Sequence, residues 1–316
     1  HNIRRDCFDQ HEADDMVDKM ARGDKLDDVM NTLSKLLRPT LVPEHEDHVF
    51  VVGDWSSIEA MALPWLAHSP EAEKKLDLYR NKVDVYTDTA QKLGLGDRQI
   101  GKVAELSLGF GGAKGAFMAM ARNFGVKLSE EEVLGVVHGW RMQNPWAQHF
   151  WYTLHDAACR AVLRPGNLVG AGHVAYTYVP ELLDGTLLCM LPGDIVLQYP
   201  KARIEQINGR DELTAIKASW KPKADAEEWP RITLWHGLLA ENATQALCAG
   251  VLRYTLRKLD WLPVVMHTHD EIVLEVNEAN ADSTAANLSR EMADCPFVPG
   301  LPLRAEPVIC YRYGHK

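Results

Sequence analysis

Apolar positions along the chain change their spacing from block to block, and the spacing predicts the elements. Between Asp9 and Leu37 the residues Met16, Met20, Leu26, Val29, Met30 and Leu33 recur every three or four positions in a charged background, which predicts one or two surface helices. Val49 to Val52 is a short apolar run ending at Gly53 and Asp54, followed at once by Ile58, Ala60, Met61, Leu63 and Leu66. That is the pattern of a buried strand leading into a helix. Residues 84–164 read as helical throughout, with glycines 109, 111, 112 and 115 clustered inside the block. A helix start is predicted at Ser129, because Glu130, Glu131 and Glu132 follow it at the positive end of the helix dipole. Trp140, Trp146 and Trp151 fall on its helical spacing and are expected in the core rather than as a base-stacking platform.

The later part changes period. Leu187 to Ile204 alternates around Pro192 and Gly193, as a hairpin does, and 217–231 is a polar stretch carrying Trp220 and Trp229, expected to be an irregular connection. An amphipathic helix is predicted over Leu238–Leu259. Val264 to Val276 then gives two apolar arms around the polar turn His269-Asp270-Glu271. The order is an α/β piece, a helical insertion and a second α/β piece.

With 316 residues, 46% of them apolar, the chain has room for two packed domains. No run of 18 or more apolar residues exists and the N-terminus lacks a basic-then-apolar profile, so no membrane contact and a cytoplasmic location are expected. Cys7, Cys159, Cys189, Cys248, Cys295 and Cys310 form no CxxC pair, so reduced thiols are expected rather than disulfides or zinc ligands. The formal charge of −10 argues mildly against a nucleic-acid binder on average. An acidic catalytic centre would itself lower that sum, so distribution matters more.

Three groups of residues carry candidate chemistry. In Asp54-Trp55-Ser56-Ser57-Ile58-Glu59 a carboxylate stands at the end of a buried strand, where a hard oxygen donor suits Mg²⁺; taken alone it is more often a helix cap. Asp270-Glu271 stands at a hairpin tip, which taken alone is an ordinary solvated turn, yet two-metal phosphoryl transfer needs carboxylates from separate elements. In Arg98-Gln99-Ile100-Gly101-Lys102, continuing through Leu106 to Phe110, helical spacing puts two cations and a ring on one broad side. Such a side could grip a triphosphate and stack on a base, or be a basic face over a core stripe. His267 and His269 alternate on a strand with no third ligand at a plausible spacing, so no zinc site is expected there.

Order and combination decide between these readings. DWSSIE, RQIGKVAELSLGFGG and HTHDE follow one another as the motifs DYSQIE, RxxxKxxxFGxxYG and VHDE do in family A DNA polymerases, and the chain resembles that family, phage members especially. DVYTDTA (84–90), ENATQAL (241–247), the opening His1-Asn2-Ile3 and Leu37-Arg38-Pro39 extend the resemblance over nearly the whole chain. It implies an α+β fold: a polymerase palm of antiparallel strands backed by helices, assigned to 1–68 and 236–316, with a mainly helical fingers domain and its hairpin connection inserted at 69–235. The family's thumb and any 3′→5′ exonuclease are expected upstream of this start, on the same or another chain, so this piece is expected to bind primer–template weakly by itself.

The function implied is template-directed addition of dNMP to a primer 3′-OH with release of pyrophosphate. By resemblance, Asp54, Asp270 and the Trp55 carbonyl bind two Mg²⁺ ions, for which Mn²⁺ could substitute, with Glu271 as an accessory carboxylate. Lys102 and Arg98 hold the phosphates, Lys102 also serving as the acid toward pyrophosphate. Leu106, Phe110, Glu59 and Tyr86 surround the nucleotide, Leu106 where the family usually has Phe or Tyr and Tyr86 where other members have His. Gln245, His269 and Arg38 are expected against primer and template. The partners implied are primer–template DNA and dNTP, in a bacterial host's cytoplasm if the chain is phage-encoded. The rivals are a single-subunit phage-type RNA polymerase, a metal-dependent nuclease or phosphohydrolase, and a non-catalytic DNA-binding subunit.

Overall fold

A computed structural model describes residues 7–217 and 229–314. In chain order the elements begin with α1 (Gln10–Ala21), α2 (Val29–Leu36), β1 (His48–Asp54), α3 (Ile58–Ala67), α4 (Pro70–Arg80), α5 (Val85–Lys92), α6 (Arg98–Leu108), α7 (Lys114–Asn123), α8 (Glu130–Gln143) and α9 (Pro145–Leu163). Then come β2 (Val169–Ala171), β3 (Val174–Val179), β4 (Thr186–Leu191), β5 (Ile195–Pro200), β6 (Arg203–Ile207), β7 (Arg210–Ile216) and β8 (Arg231–Thr233). The chain closes with α10 (His236–Lys258), β9 (Val264–Thr268), β10 (Glu271–Asn277), α11 (Ala281–Met292) and β11 (Val308–Cys310). The chain divides into two compact units: 1–56 with 251–296 and 303–316, and 57–250 with 297–302.

The first unit is built on an antiparallel sheet of order β11-β1-β10-β9. The apolar run of β1 is buried along its length because both faces are covered. On one face Phe50 and Val52 pack with Val273, Cys310 and Tyr313. On the other, α11 lies so close over Gly53 that a Cβ there would come within 2.7 Å of the Met292 sulfur. Trp55, just past the strand, is buried and donates its indole N–H to the Met292 carbonyl at 2.8 Å.

The second unit contains α3 to α9 and two antiparallel sheets, β2-β3-β4-β5 and β6-β7-β8. Its helices start where the sequence supplies caps. Ser129 and Glu132 close a capping box on α8, Asp97 accepts from the Gln99 N–H at α6, and Pro70 and Pro145 occupy first turns where no N–H is missed. α9 buries Trp146, Phe150, Trp151 and Leu154, and α8 buries Trp140, so the three tryptophans are core as the spacing predicts.

The predicted hairpin is β4–β5, but it belongs to a four-stranded sheet, and β6–β7–β8 form another. Among the described residues the mainly helical insertion therefore carries seven strands, of which the sequence reading had only the two of that hairpin. Of the irregular connection expected over 217–231, residues 218–228, with Trp220, lie outside the described residues. All six cysteines are free thiols, and among the described residues no helix is long and apolar enough to cross a membrane.

Candidate active site

The acidic residues come together in the first unit through strand pairing. β1 runs antiparallel to β10 in a register that puts Asp54 directly opposite Glu271, and directly opposed side chains share one face with Cβ atoms about 4.5–5.5 Å apart. Asp270 immediately precedes β10, and its carbonyl accepts the Trp55 N–H at 3.2 Å. Two motifs far apart in sequence are thereby joined backbone to backbone at one end of the sheet. β9 and β10 are joined by a two-residue turn, with Thr268 opposite Glu271, and His269 in that turn has φ of 55°. Histidine is among the residues that tolerate the left-handed region, so the turn holds without glycine. His267 and His269 are exposed.

Glu271 differs from its neighbours. It is buried, its Oε1 accepts the Tyr313 hydroxyl, and the Arg38 guanidinium lies 3.6 Å away and over the Tyr313 ring. Burial first, then the bond to the Glu271 carboxylate, pushes the Tyr313 hydroxyl up to about 12. Arg38, expected at the primer–template, is itself buried and turned toward this carboxylate. No motif signals the arrangement, because its three members come from three separate stretches.

Hard oxygen donors at a strand end fit Mg²⁺. Among the described residues no set of three or more His, Cys, Asp or Glu side chains could hold a metal ion. Mg²⁺ does not require one, since it is commonly bound through one or two carboxylates completed by water and substrate phosphates. Asp54, with a solvent-shielded Oδ1, and Asp270 are the residues that would hold it.

The cationic helix lies in the second unit. Arg98 is exposed, pairs with Asp84 at 2.5 Å and stacks over Tyr86 at 5.1 Å. Burial opposes ionisation of Asp84, but the bonds from Arg98 and Thr87 outweigh it and hold the carboxyl below its usual range. Lys102, half-buried, lies over the Phe124 ring at 4.8 Å. Burial raises the Tyr86 hydroxyl, which is 3.2 Å from the Ser57 hydroxyl. α6 ends at Leu108 and Gly111 has φ of 74°, so Phe110 lies beyond the helix and does not continue its face as the spacing predicts. Phe110 instead lines a cavity together with Leu106, Glu59, Lys75, Glu105 and Trp140. Three of the expected nucleotide residues, Glu59, Leu106 and Phe110, are thus brought together. Gln245 is exposed on α10, 3.5 Å from Glu241.

No family model matches the chain. A DNA polymerase of Bacillus phage SP02 is 33% identical to it over 298 residues, covering 89% of this chain and 43% of that protein. The chain is a relative of phage DNA polymerases. The resemblance to family A polymerases of phage type, read from the motifs, is borne out. A solved structure, the polymerase domain of Pol1 from M. smegmatis in complex with DNA primer-template and dNTP, matches with a TM-score of 0.53 at 13% identity, covering 92% of this chain and 44% of that one. That likeness is one of fold, and it agrees with the α+β polymerase architecture expected. The chain spans less than half the length of either protein.

Two residues of this polymerase relative escaped the motif reading. A Cβ at Gly101 would meet the Tyr86 carbonyl oxygen at 1.9 Å, so α5 and α6 approach as closely as they do only because position 101 has no side chain. Glu105 is the other. Its burial inside a helix otherwise read as amphipathic has no signature in spacing.

Proposed function

We propose that the chain carries the nucleotidyl-transfer centre of a template-directed DNA polymerase, adding dNMP to a primer 3′-OH and releasing pyrophosphate. The observation that carries this reading is the junction of Asp54 with Asp270 and Glu271 across β1 and β10. The phage relative is a DNA polymerase by name, and the solved neighbour holds primer-template and dNTP. Both support DNA and dNTP as partners here.

In the reaction the primer 3′-hydroxyl gives up its proton to water as its oxygen bonds to the α-phosphorus of the nucleotide, while the bond to pyrophosphate breaks in line. What two Mg²⁺ ions, or Mn²⁺, supply when held by Asp54, Asp270 and the Trp55 carbonyl is activation of the attacking oxygen and charge neutralisation at the leaving one. The side chains need only position groups and balance charge, because phosphoryl transfer requires little covalent help. Arg98 exchanges its pairing with Asp84 for the triphosphate, and Lys102 neutralises the phosphates and protonates the departing pyrophosphate. Phe110 and Leu106 bound the base and sugar, Tyr86 lies by the phosphates, and Glu59 excludes a 2′-hydroxyl. Gln245 and His269 meet the primer–template. Glu271 acts on the hairpin bearing Asp270, and Arg38 acts through Glu271. If the chain is phage-encoded, the setting is the cytoplasm of a bacterial host.

The test is extension of a labelled primer on a template of known sequence, with dNTPs or NTPs and with template omitted. Incorporation of the template-coded dNMP is expected. Degradation of DNA without incorporation would favour a nuclease, and preference for NTPs an RNA polymerase.

A further inference from the structure

α6 carries the cations and Leu106 of the proposed nucleotide site, so what fixes its rotation about its own axis matters. One buried side chain gathers the restraints. Glu105, with its side chain only 6% exposed, accepts from the Lys75 ammonium of α4 at 2.8 Å. It also accepts the Thr89 hydroxyl of α5 at 2.6 Å and the Trp140 indole N–H of α8 at 3.1 Å. All three donors converge on the same oxygen, Oε1. The nearby Tyr79 hydroxyl is held protonated by burial and then by the Glu105 charge.

Two further donors hold the turn that follows. Trp151 gives its indole N–H to the Gly109 carbonyl at 2.8 Å, and Arg141 reaches the Gly112 carbonyl at 3.1 Å. Three helices are therefore hydrogen-bonded to one position of α6, and two of the donors come from an aromatic pair, Trp140 and Trp151, stacked at 6.2 Å. Glu105 itself lines the cavity that Glu59, Leu106 and Phe110 share. A carboxylate is the acceptor that can serve several donors at once, including a cation.

We infer that Glu105 is a positioning residue for the incoming nucleotide: by accepting Lys75, Thr89 and Trp140 it fixes the rotation of α6, and so where Lys102 and Leu106 present themselves. The inference rests on the polymerase reading and adds a residue outside the motif positions. It also explains the buried Lys75, whose ammonium is the counter-charge of this acceptor.

The experiment compares two double variants in the full chain, Lys75→Met with Glu105→Gln and Lys75→Met with Glu105→Leu. Both remove the buried charge pair, so neither leaves a stranded ion. They differ in whether an acceptor remains for Thr89 and Trp140. In steady-state primer extension the Gln form is expected to keep the KM for dNTP within about threefold of the parent, and the Leu form to raise it about tenfold with kcat changed less than about threefold. Thermal unfolding of the two forms is expected to agree within a few degrees. Equal KM in the two forms would overturn the inference, as would kcat and KM changing together with the melting temperature. A parent chain that extends no primer would instead sink the polymerase reading, and the inference with it.

Discussion

Replacing Arg38 by methionine separates the burial of a charge from its pairing. Arg38 and Glu271 are 5% and 4% exposed at their side chains, with nitrogen and oxygen 3.6 Å apart. At that separation the attraction is about 4–5 kcal/mol for an effective dielectric near 20. Desolvation offsets much of it in the intact pair, but removing one partner leaves the other charge buried, which costs about 3–5 kcal/mol. Methionine keeps part of the packing on the Tyr313 ring, and the Tyr313 hydroxyl still donates to Glu271, so the low end, about 3 kcal/mol, is expected. Adding Glu271→Gln should recover most of the loss, with a coupling of roughly 2 kcal/mol in the double-mutant cycle. Urea unfolding followed by tryptophan fluorescence measures each corner of the cycle. A cost under about 0.5 kcal/mol for Arg38→Met, the size of a surface substitution, would refute the reasoning, as would simple additivity of the two changes.

Further outcomes follow from the same geometry. Tyr313→Phe should flatten the alkaline limb of the stability curve: a hydroxyl raised to about 12 in the folded state from an ordinary 10 stabilises fully below pH 10 and loses that contribution as pH rises to 12, so in a pH titration of the unfolding midpoint the variant should fall below the parent up to pH 10 and the gap should shrink from there to pH 12. Gly101→Ala gains about 1 kcal/mol of helix propensity, but its Cβ must displace the Tyr86 carbonyl, so net destabilisation by about 1–2 kcal/mol and weaker dNTP binding are expected from calorimetry and titration. Glu59→Ala should narrow the preference for dNTP over NTP in single-nucleotide extension, and an unchanged ratio would remove Glu59 from the sugar site.

Much of the first unit was legible because its strands are uninterrupted apolar runs. Val49–Val52 and the arms on either side of His269 announce β1, β9 and β10, and the acids at their ends could be found from the motifs that border them. Tertiary chemistry was not legible. Arg38 is expected against primer and template until Glu271 and Tyr313 are folded beside it, and Glu105 reads as one polar position on an amphipathic helix until three neighbours donate to it. Phe110 was misplaced because periodicity was carried through Gly109, where the helix stops. In the second unit β2 and β8 went unread because they span three residues each, too few to show alternation.

The most direct test of the acidic centre is single-turnover incorporation of one template-coded dNMP by the parent chain and by Asp54→Ala and Asp270→Ala, across a Mg²⁺ titration. Each substitution should lower the rate by roughly a thousandfold or more, about 4 kcal/mol of barrier, with circular dichroism unchanged and no recovery at high Mg²⁺. Incorporation at the parent rate by either folded variant would contradict the account.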